Sequence, residues 1–240
     1  MKEKKYILSD YDSLSTSEKL KTPLLSLSRK GMATGIYQND DEETFTVTFP
    51  AHDILTTVTS SGAVAANWIA TTRQLNQQRP DQLIVGLDLE WRPTFQRGAD
   101  ANFTALIQLC VDQRCLIFQI IHADVIPDEL SEFLSDARFR FVGVGIDADV
   151  AKLEEDYELT VANPVDLRVL AAEKMDRPEL STAGLATLVK EIMGLRMSKP
   201  RHIRASEWDR ERLTLHQIKY ACADAFASFE IGRRLFYDEI

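Results

Sequence analysis

The sequence predicts an α/β domain in which a mixed central β-sheet is flanked by helices. Three observations predict it. Short β-branched or apolar runs recur from residue 44 to residue 145. Apolar residues at helical spacing fill one interval between those runs and most of the chain after them. One run, LIVGLDLEW (83–91), is so continuously apolar that it belongs in the middle of a sheet covered on both faces.

The elements follow in order. TFTVTF (44–49) alternates polar and apolar residues, the period of a half-buried strand. Residues 50–53 make a turn, and ILTTVTS (54–60) is a second β-branched run, so the two form a hairpin. Residues 62–77 place apolar groups at helical spacing. After the central strand, TALIQLCV (104–111) and RCLIFQI (114–120) make another hairpin through Asp112 and Gln113. DELSEFLSD (128–136) predicts a short helix, FRFVGVG (139–145) a strand, and DADVAKLEEDY (147–157) a helix. Further helices are expected near 167–175 and over 181–193. The last helix is long, and Thr214 with Gln217 supplies a capping box at its start. The domain thus spans 41–240. Residues 1–40 are rich in Ser, Thr and Lys, their hydrophobic spacing is irregular, and they predict a flexible or peripheral N-terminal extension.

Net charge is −9. That argues against a protein that grips nucleic acid through bulk positive charge. It is compatible with an enzyme that meets phosphate through bound cations. Cys110, Cys115 and Cys222 are odd in number and lack CxxC spacing, which excludes a disulfide framework and a zinc site. They read as buried small residues in a reducing compartment, so a cytoplasmic or nuclear location is expected. The first residues lack the apolar core of a signal peptide. No run of about 18 apolar residues exists, so no membrane-spanning helix is expected.

Four carboxylates and a tyrosine draw attention. Asp88 and Glu90 are two apart on a strand, so both project from one face. Two such carboxylates on a buried strand are costly unless metal or protons compensate. Asp149 lies where strand 139–145 gives way to a helix, a frequent place for α/β sites. Tyr220 and Asp224 are four apart in the last helix and share a face. Alanines at 221, 223, 225 and 227 would let that helix approach closely. Each feature alone has an ordinary reading: a solvated strand end, a helix N-terminal acid favoured by the dipole, an amphipathic helix with one stray acid. The ordered combination is far more specific.

That order is DxE on a strand, Asp at a strand–helix junction, then YxxxD in a C-terminal helix. With the segments GLDLEWRP, ALIQLCV and CLIF, FVGVGIDADVAKLEEDY, and HIRASEW followed by LTLHQIKYACADAFASFEIGRRL, the chain resembles the Werner-syndrome-type exonuclease domain. This is a DEDDy 3′–5′ exonuclease, related to RNase D-type enzymes. The resemblance runs from about residue 83 to 236 and more loosely from 43. It implies an RNase H-like, DnaQ-like exonuclease fold and a stand-alone catalytic domain. Lys219 occupies the place where the sister DEDDh branch needs His, and Phe226 stands where many relatives have Tyr.

By resemblance, Asp88, Glu90, Asp149 and Asp224 carry over as ligands of two Mg²⁺ or Mn²⁺ ions. Asp88 bridges both ions, Glu90 and Asp224 complete the coordination of the first ion, and Asp149 holds the second. Hard cations prefer such oxygen ligands. Tyr220 carries over as the residue that orients the attacking water. Its ordinary pKa near 10 makes it a poor base. Trp91 has two readings, stacking on the terminal nucleotide or packing in the core. The bases of KPRHIRASEWDRER (199–212) also have two, contact with phosphate or a solvated loop ion-paired to Glu207, Asp209 and Glu211. Arg204 is the foremost candidate there for substrate binding, whereas Trp208 reads as packing.

The expected activity is metal-dependent removal of nucleotides from the 3′ end of single-stranded RNA or DNA. The alternative is a catalytically weak nuclease-fold module that binds or scaffolds nucleic acid. The resemblance also implies protein partners that deliver substrate, and homo-oligomeric rings as in some stand-alone relatives.

Overall fold

The computed structural model describes residues 35–41, 43–78, 83–94, 98 and 100–240. Eight strands form one mixed sheet: β1 (Gly35–Gln38), β2 (Thr44–Thr48), β3 (Asp53–Thr59), β4 (Ile84–Glu90), β5 (Leu106–Val111), β6 (Arg114–Phe118), β7 (Arg140–Gly143) and β8 (Pro164–Asp166). Their order across the sheet is β1-β2-β3-β6-β5-β4-β7-β8. Both expected hairpins are present, β2–β3 and β5–β6, each antiparallel. β3 runs parallel to β6, and β4 parallel to β7. The sheet is therefore mixed, with β4 in its interior.

Helices cover both faces. On one side lie α1 (Gly62–Leu75), α2 (Asp128–Leu134) and α3 (Ile146–Tyr157); Trp68, Leu130, Phe133 and Leu153 meet Val85, Leu87 and Leu89 of β4 there. On the other side lie α4 (Leu167–Lys174), α5 (Leu185–Leu188), the short α6 (Arg201–Arg204) and the long α7 (Leu215–Phe236). Alternation along β4 thus sends Leu87 and Leu89 to one core and turns Gly86, Asp88 and Glu90 toward α7.

α7 forms where expected and for the expected reasons. Thr214 Oγ1 accepts from the Gln217 amide and the Gln217 side chain accepts from the Thr214 amide, so the capping box is closed. Alanine, the best helix former, fills its middle. Arg233 and Arg234 both pair with Glu230 in the last turns, which also suits the helix dipole. Phe229, Ile231 and Leu235 are buried, each worth roughly 1.5–3 kcal/mol by removal from water.

Three expectations need correction or extension. Of the extension expected over 1–40, residues 1–34 lie outside the described residues, but Gly35–Gln38 is strand β1, paired to β2. The sheet begins before residue 41. Ile36 is the one apolar side chain this short strand buries, too little to show a period. The helix expected over 181–193 is broken. A 3₁₀ turn (Pro178–Thr182) ends in extended backbone at Ala183 and Gly184, α5 follows, and Val189–Met193 is a π-helical turn. Ser, Thr and Gly at 181–184 are weak helix formers that favour such breaks. Strand β8 is three residues long, too short for periodicity to reveal. The three cysteines are free and buried, as expected. Among the described residues no helix is long and apolar enough to cross a membrane.

Candidate active site

The site forms where α7 presses on β4. A Cβ added at Gly86 would collide with the carbonyl oxygen of Ala225 and crowd the amide of Phe229 at 2.7 Å. Glycine on the strand and alanines on the helix therefore set a very short separation. That separation brings Asp224, next to Ala225, against the two acids of the strand. Carboxylate oxygens of Asp88, Glu90 and Asp224 all lie within 4.8 Å of one another. Asp224 is 1% exposed and Glu90 9% exposed.

Three carboxylates cannot all stay ionised so close together without a cation. Burial, then the charges of Asp224 and Asp149, raises Asp88 well above the carboxylate range. Burial, then Asp88 and Asp224, pushes Glu90 up to about 10. Asp224 is also raised by burial, but Lys199 counteracts this. Lys199 Nζ lies 2.7 Å from Asp224 Oδ2, while Asp224 Oδ1 is buried without a hydrogen-bond partner among the described residues.

Tyr220 stands one turn before Asp224 and is 7% exposed. Its ring lies 5.8 Å from that of Trp208 and 5.4 Å from Lys199 Nζ. Burial first, then Asp224, Glu90 and Asp88, raises its hydroxyl far above the ordinary phenol value, against a small opposing pull from Arg204. The phenol stays protonated at any working pH.

Asp149 occupies the first turn of α3, half-buried. It is not one of the three clustered acids, but its charge raises Asp88. Burial, then Asp166, pushes Asp149 up to about 7. Asp166 is itself held by Arg168 at 2.6 Å and by the Gly145 amide at 3.1 Å. The structure thus brings Asp88, Glu90, Asp224 and Tyr220 together and sets Asp149 beside them on another element.

Trp91 packs against the core on the α1 side, with Lys152 Nζ 5.2 Å over its ring. Arg204 is exposed on α6. Trp208 is fully buried and donates its indole N–H to the Arg204 carbonyl at 3.1 Å, so it packs as expected. Among the described residues, the ion pairs that the solvated-loop reading of 199–212 entailed do not form. Arg92, two residues beyond Glu90, reaches over to Glu207 at 3.3 Å and Asp209 at 2.7 Å. Lys199 turns inward to Asp224. Among the described residues, Arg201, Arg204, Arg210 and Arg212 make no ion pair at all.

Two residues at the site escaped sequence reasoning. Lys199 looked like one base among several in a basic segment. Gln108 is fully buried on β5, directly opposite Asp88 in the ladder. Its signal was a polar residue in the middle of the apolar run ALIQLCV.

Comparison with known proteins adds a family context. Residues 58–236 match the model of a family described as 3′-5′ exonuclease. The chain is 36% identical over 152 residues to a 3′-5′ exonuclease of Arabidopsis thaliana, covering 63% of this chain and 52% of that protein. It is 34% identical over 165 residues to the bifunctional 3′-5′ exonuclease/ATP-dependent helicase WRN of Mus musculus, covering 68% of this chain and 12% of that one. The chain therefore spans about half the length of the plant relative and a small part of the mouse one. Its fold is that of Escherichia coli RNase D, an exoribonuclease involved in structured RNA processing, with a TM-score of 0.63 at 20% identity over 76% of this chain and 44% of that one.

Proposed function

Because the chain belongs to the 3′-5′ exonuclease family, we propose that it hydrolyses single-stranded RNA or DNA from the 3′ end, one nucleotide at a time, at the cluster of Asp88, Glu90 and Asp224. The observation that carries this reading is the convergence within 4.8 Å of three carboxylates, two of them buried and that of Asp88 half-buried. Burial of that kind is costly unless a cation is the intended partner.

The donor set suits a hard divalent ion such as Mg²⁺ or Mn²⁺. All candidate ligands are carboxylate oxygens, and Asp224 Oδ1 has no hydrogen-bond partner among the described residues. Asp88, Glu90 and Asp224 would hold the first ion, and Asp149, with Asp88, the second. Bound divalent ions supply charge neutralisation at the phosphate and a more acidic water. The chain's own groups do the positioning. Tyr220, kept protonated, donates its hydroxyl hydrogen to orient the attacking water and does not remove a proton from it. The exposed arginines 201 and 204, which make no ion pair among the described residues, face the incoming backbone. Trp91, at the end of the acid-bearing strand, borders the terminal nucleotide while its opposite side packs. Free thiols at the Cys110–Cys115 cross-strand pair fit a cytoplasmic or nuclear protein. Partners that present substrate, or self-assembly into a ring, would supply the specificity that so small a basic surface leaves open.

The test is side-by-side decay of matched DNA and RNA strands, labelled at the 5′ end and carrying a 3′-hydroxyl. With Mg²⁺ or Mn²⁺ each product should be one nucleotide shorter than the last. Asp88→Ala and Asp224→Ala should each lose at least about a hundredfold in rate. Equal cleavage by both variants, persisting in EDTA, would sink the reading. Metal binding without cleavage would favour a binding module instead.

A further inference from the structure

Lys199 stands where a cation would stand. It comes from the irregular stretch between the π-helical turn and α6, and its ammonium reaches Asp224 Oδ2 at 2.7 Å. The same Nζ lies 5.4 Å from the centre of the Tyr220 ring. Asp88 and Glu90 attract it as well as Asp224. Among the described residues it is the one cation ion-paired to any of the three acids. Its side chain is 30% exposed, against 2% for that of Asp224. One end of the pair is therefore sealed in the fold and the other opens to solvent.

We propose that Lys199 is a resident counter-cation, which holds the three-carboxylate cluster in place in the metal-free protein and releases Asp224 when a divalent ion enters. It is a positioning residue that sets the metal concentration at which the site loads. The inference rests on the reading that the cluster binds a divalent metal.

The argument is one of charge and of room. Three neighbouring carboxylates need compensation, and one ammonium provides it in part. A divalent ion and an ammonium cannot both sit against Asp224, because like charges in a poorly solvated place repel strongly. The lysine is the partner able to leave. It has a flexible four-carbon stem, a route to solvent, and no regular element at its own backbone. Asp224 is fixed by α7. Removing the ammonium has two effects of the same sign. The metal-free cluster loses its partner, and the entering ion no longer has a cation to expel. Both favour metal binding.

The test uses the full chain as wild type, Lys199→Met, Lys199→Gln and Lys199→Arg. Mn²⁺ is titrated by calorimetry near pH 8 without nucleic acid, and Tm is read in EDTA and in Mn²⁺. Lys199→Met should bind Mn²⁺ about tenfold more tightly, with a lower Tm in EDTA and a larger Tm gain on adding metal. Lys199→Gln should behave in the same way and covers the case of a Met variant that does not fold. Lys199→Arg should keep wild-type affinity to within about threefold, since the charge is retained. In an Asp224→Asn background the Met substitution should have no effect on affinity. If wild type binds Mn²⁺ and the Met and Gln variants bind it equally or more weakly, the role of the lysine is overturned alone. If wild type binds no Mn²⁺, the metal reading and this inference fall together.

Discussion

Gln108 faces Asp88 directly across the β5–β4 ladder, and neither atom of its buried amide has a hydrogen-bond partner among the described residues. An unsatisfied buried amide costs roughly 1–3 kcal/mol. Gln108→Leu, similar in volume and without the amide, should therefore leave stability in EDTA unchanged or raise it by about 1 kcal/mol. Urea denaturation measures this. A loss above about 2 kcal/mol would show that the amide has a partner in the folded chain.

The metal-free protein should become less stable as pH rises. Folding raises Asp149 from 3.8 to about 7 and Glu90 from 4.5 to about 10, so both carboxyls take up protons on folding. A group raised in this way contributes its full stability below its unfolded value and loses it as pH climbs through the folded one. For Asp149 that window is about 4 to 7, and for Glu90 about 4.5 to 10. Tm against pH in EDTA should slope downward across this range, and Glu90→Gln should flatten the part above pH 7. An unchanged slope in that variant would contradict the burial of an acid at position 90.

Gly86→Ala should be among the most damaging single substitutions. The added methyl meets backbone on α7 and not a movable side chain, so helix and strand must separate. Overpacking of this kind costs about 1–3 kcal/mol and more where backbone is the obstacle. Tm should fall by several degrees, and metal affinity should fall with it because Asp224 moves away from Asp88. A variant with wild-type Tm and affinity would show that the two elements do not pack as described.

Arg201 and Arg204 have no acidic partner among the described residues, so nucleic acid is the counter-charge to test. In single-strand binding each phosphate contact contributes about 0.7 to the slope of log affinity against log salt. Replacing both arginines with Gln in a cleavage-deficient Asp88→Asn protein should lower that slope by about 1.4. An unaltered slope would return these side chains to the role of solvated surface.

Much of the fold was legible because long periodic segments state their own structure. The β2–β3 and β5–β6 hairpins, β4, α3 and α7 all lie where alternation, β-branching or a capping box placed them. What was not legible has local causes. β1 and β8 are too short to show a period, and the break at Ala183 and Gly184 interrupts a helical pattern whose apolar spacing continues past it. At the site, the period of two put Asp88 and Glu90 on one face, and the alanines around Asp224 announced a close approach. The inward turn of Lys199 and the reach of Arg92 to Glu207 and Asp209 were not legible, because spacing says nothing about which long side chain crosses to which acid.

The contact of α7 with β4 also has a consequence in time. Glu90 and Asp224 are far apart in order of synthesis, and Lys199 comes between them. A ribosome delivers β4 and its two acids long before the helix that completes the cluster, and a domain generally folds as a unit. Until α7 has been made, the nascent chain carries the two acids of β4 but not the third acid of the cluster. A chain that halts anywhere before residue 215 is therefore expected to lack the three-acid cluster altogether.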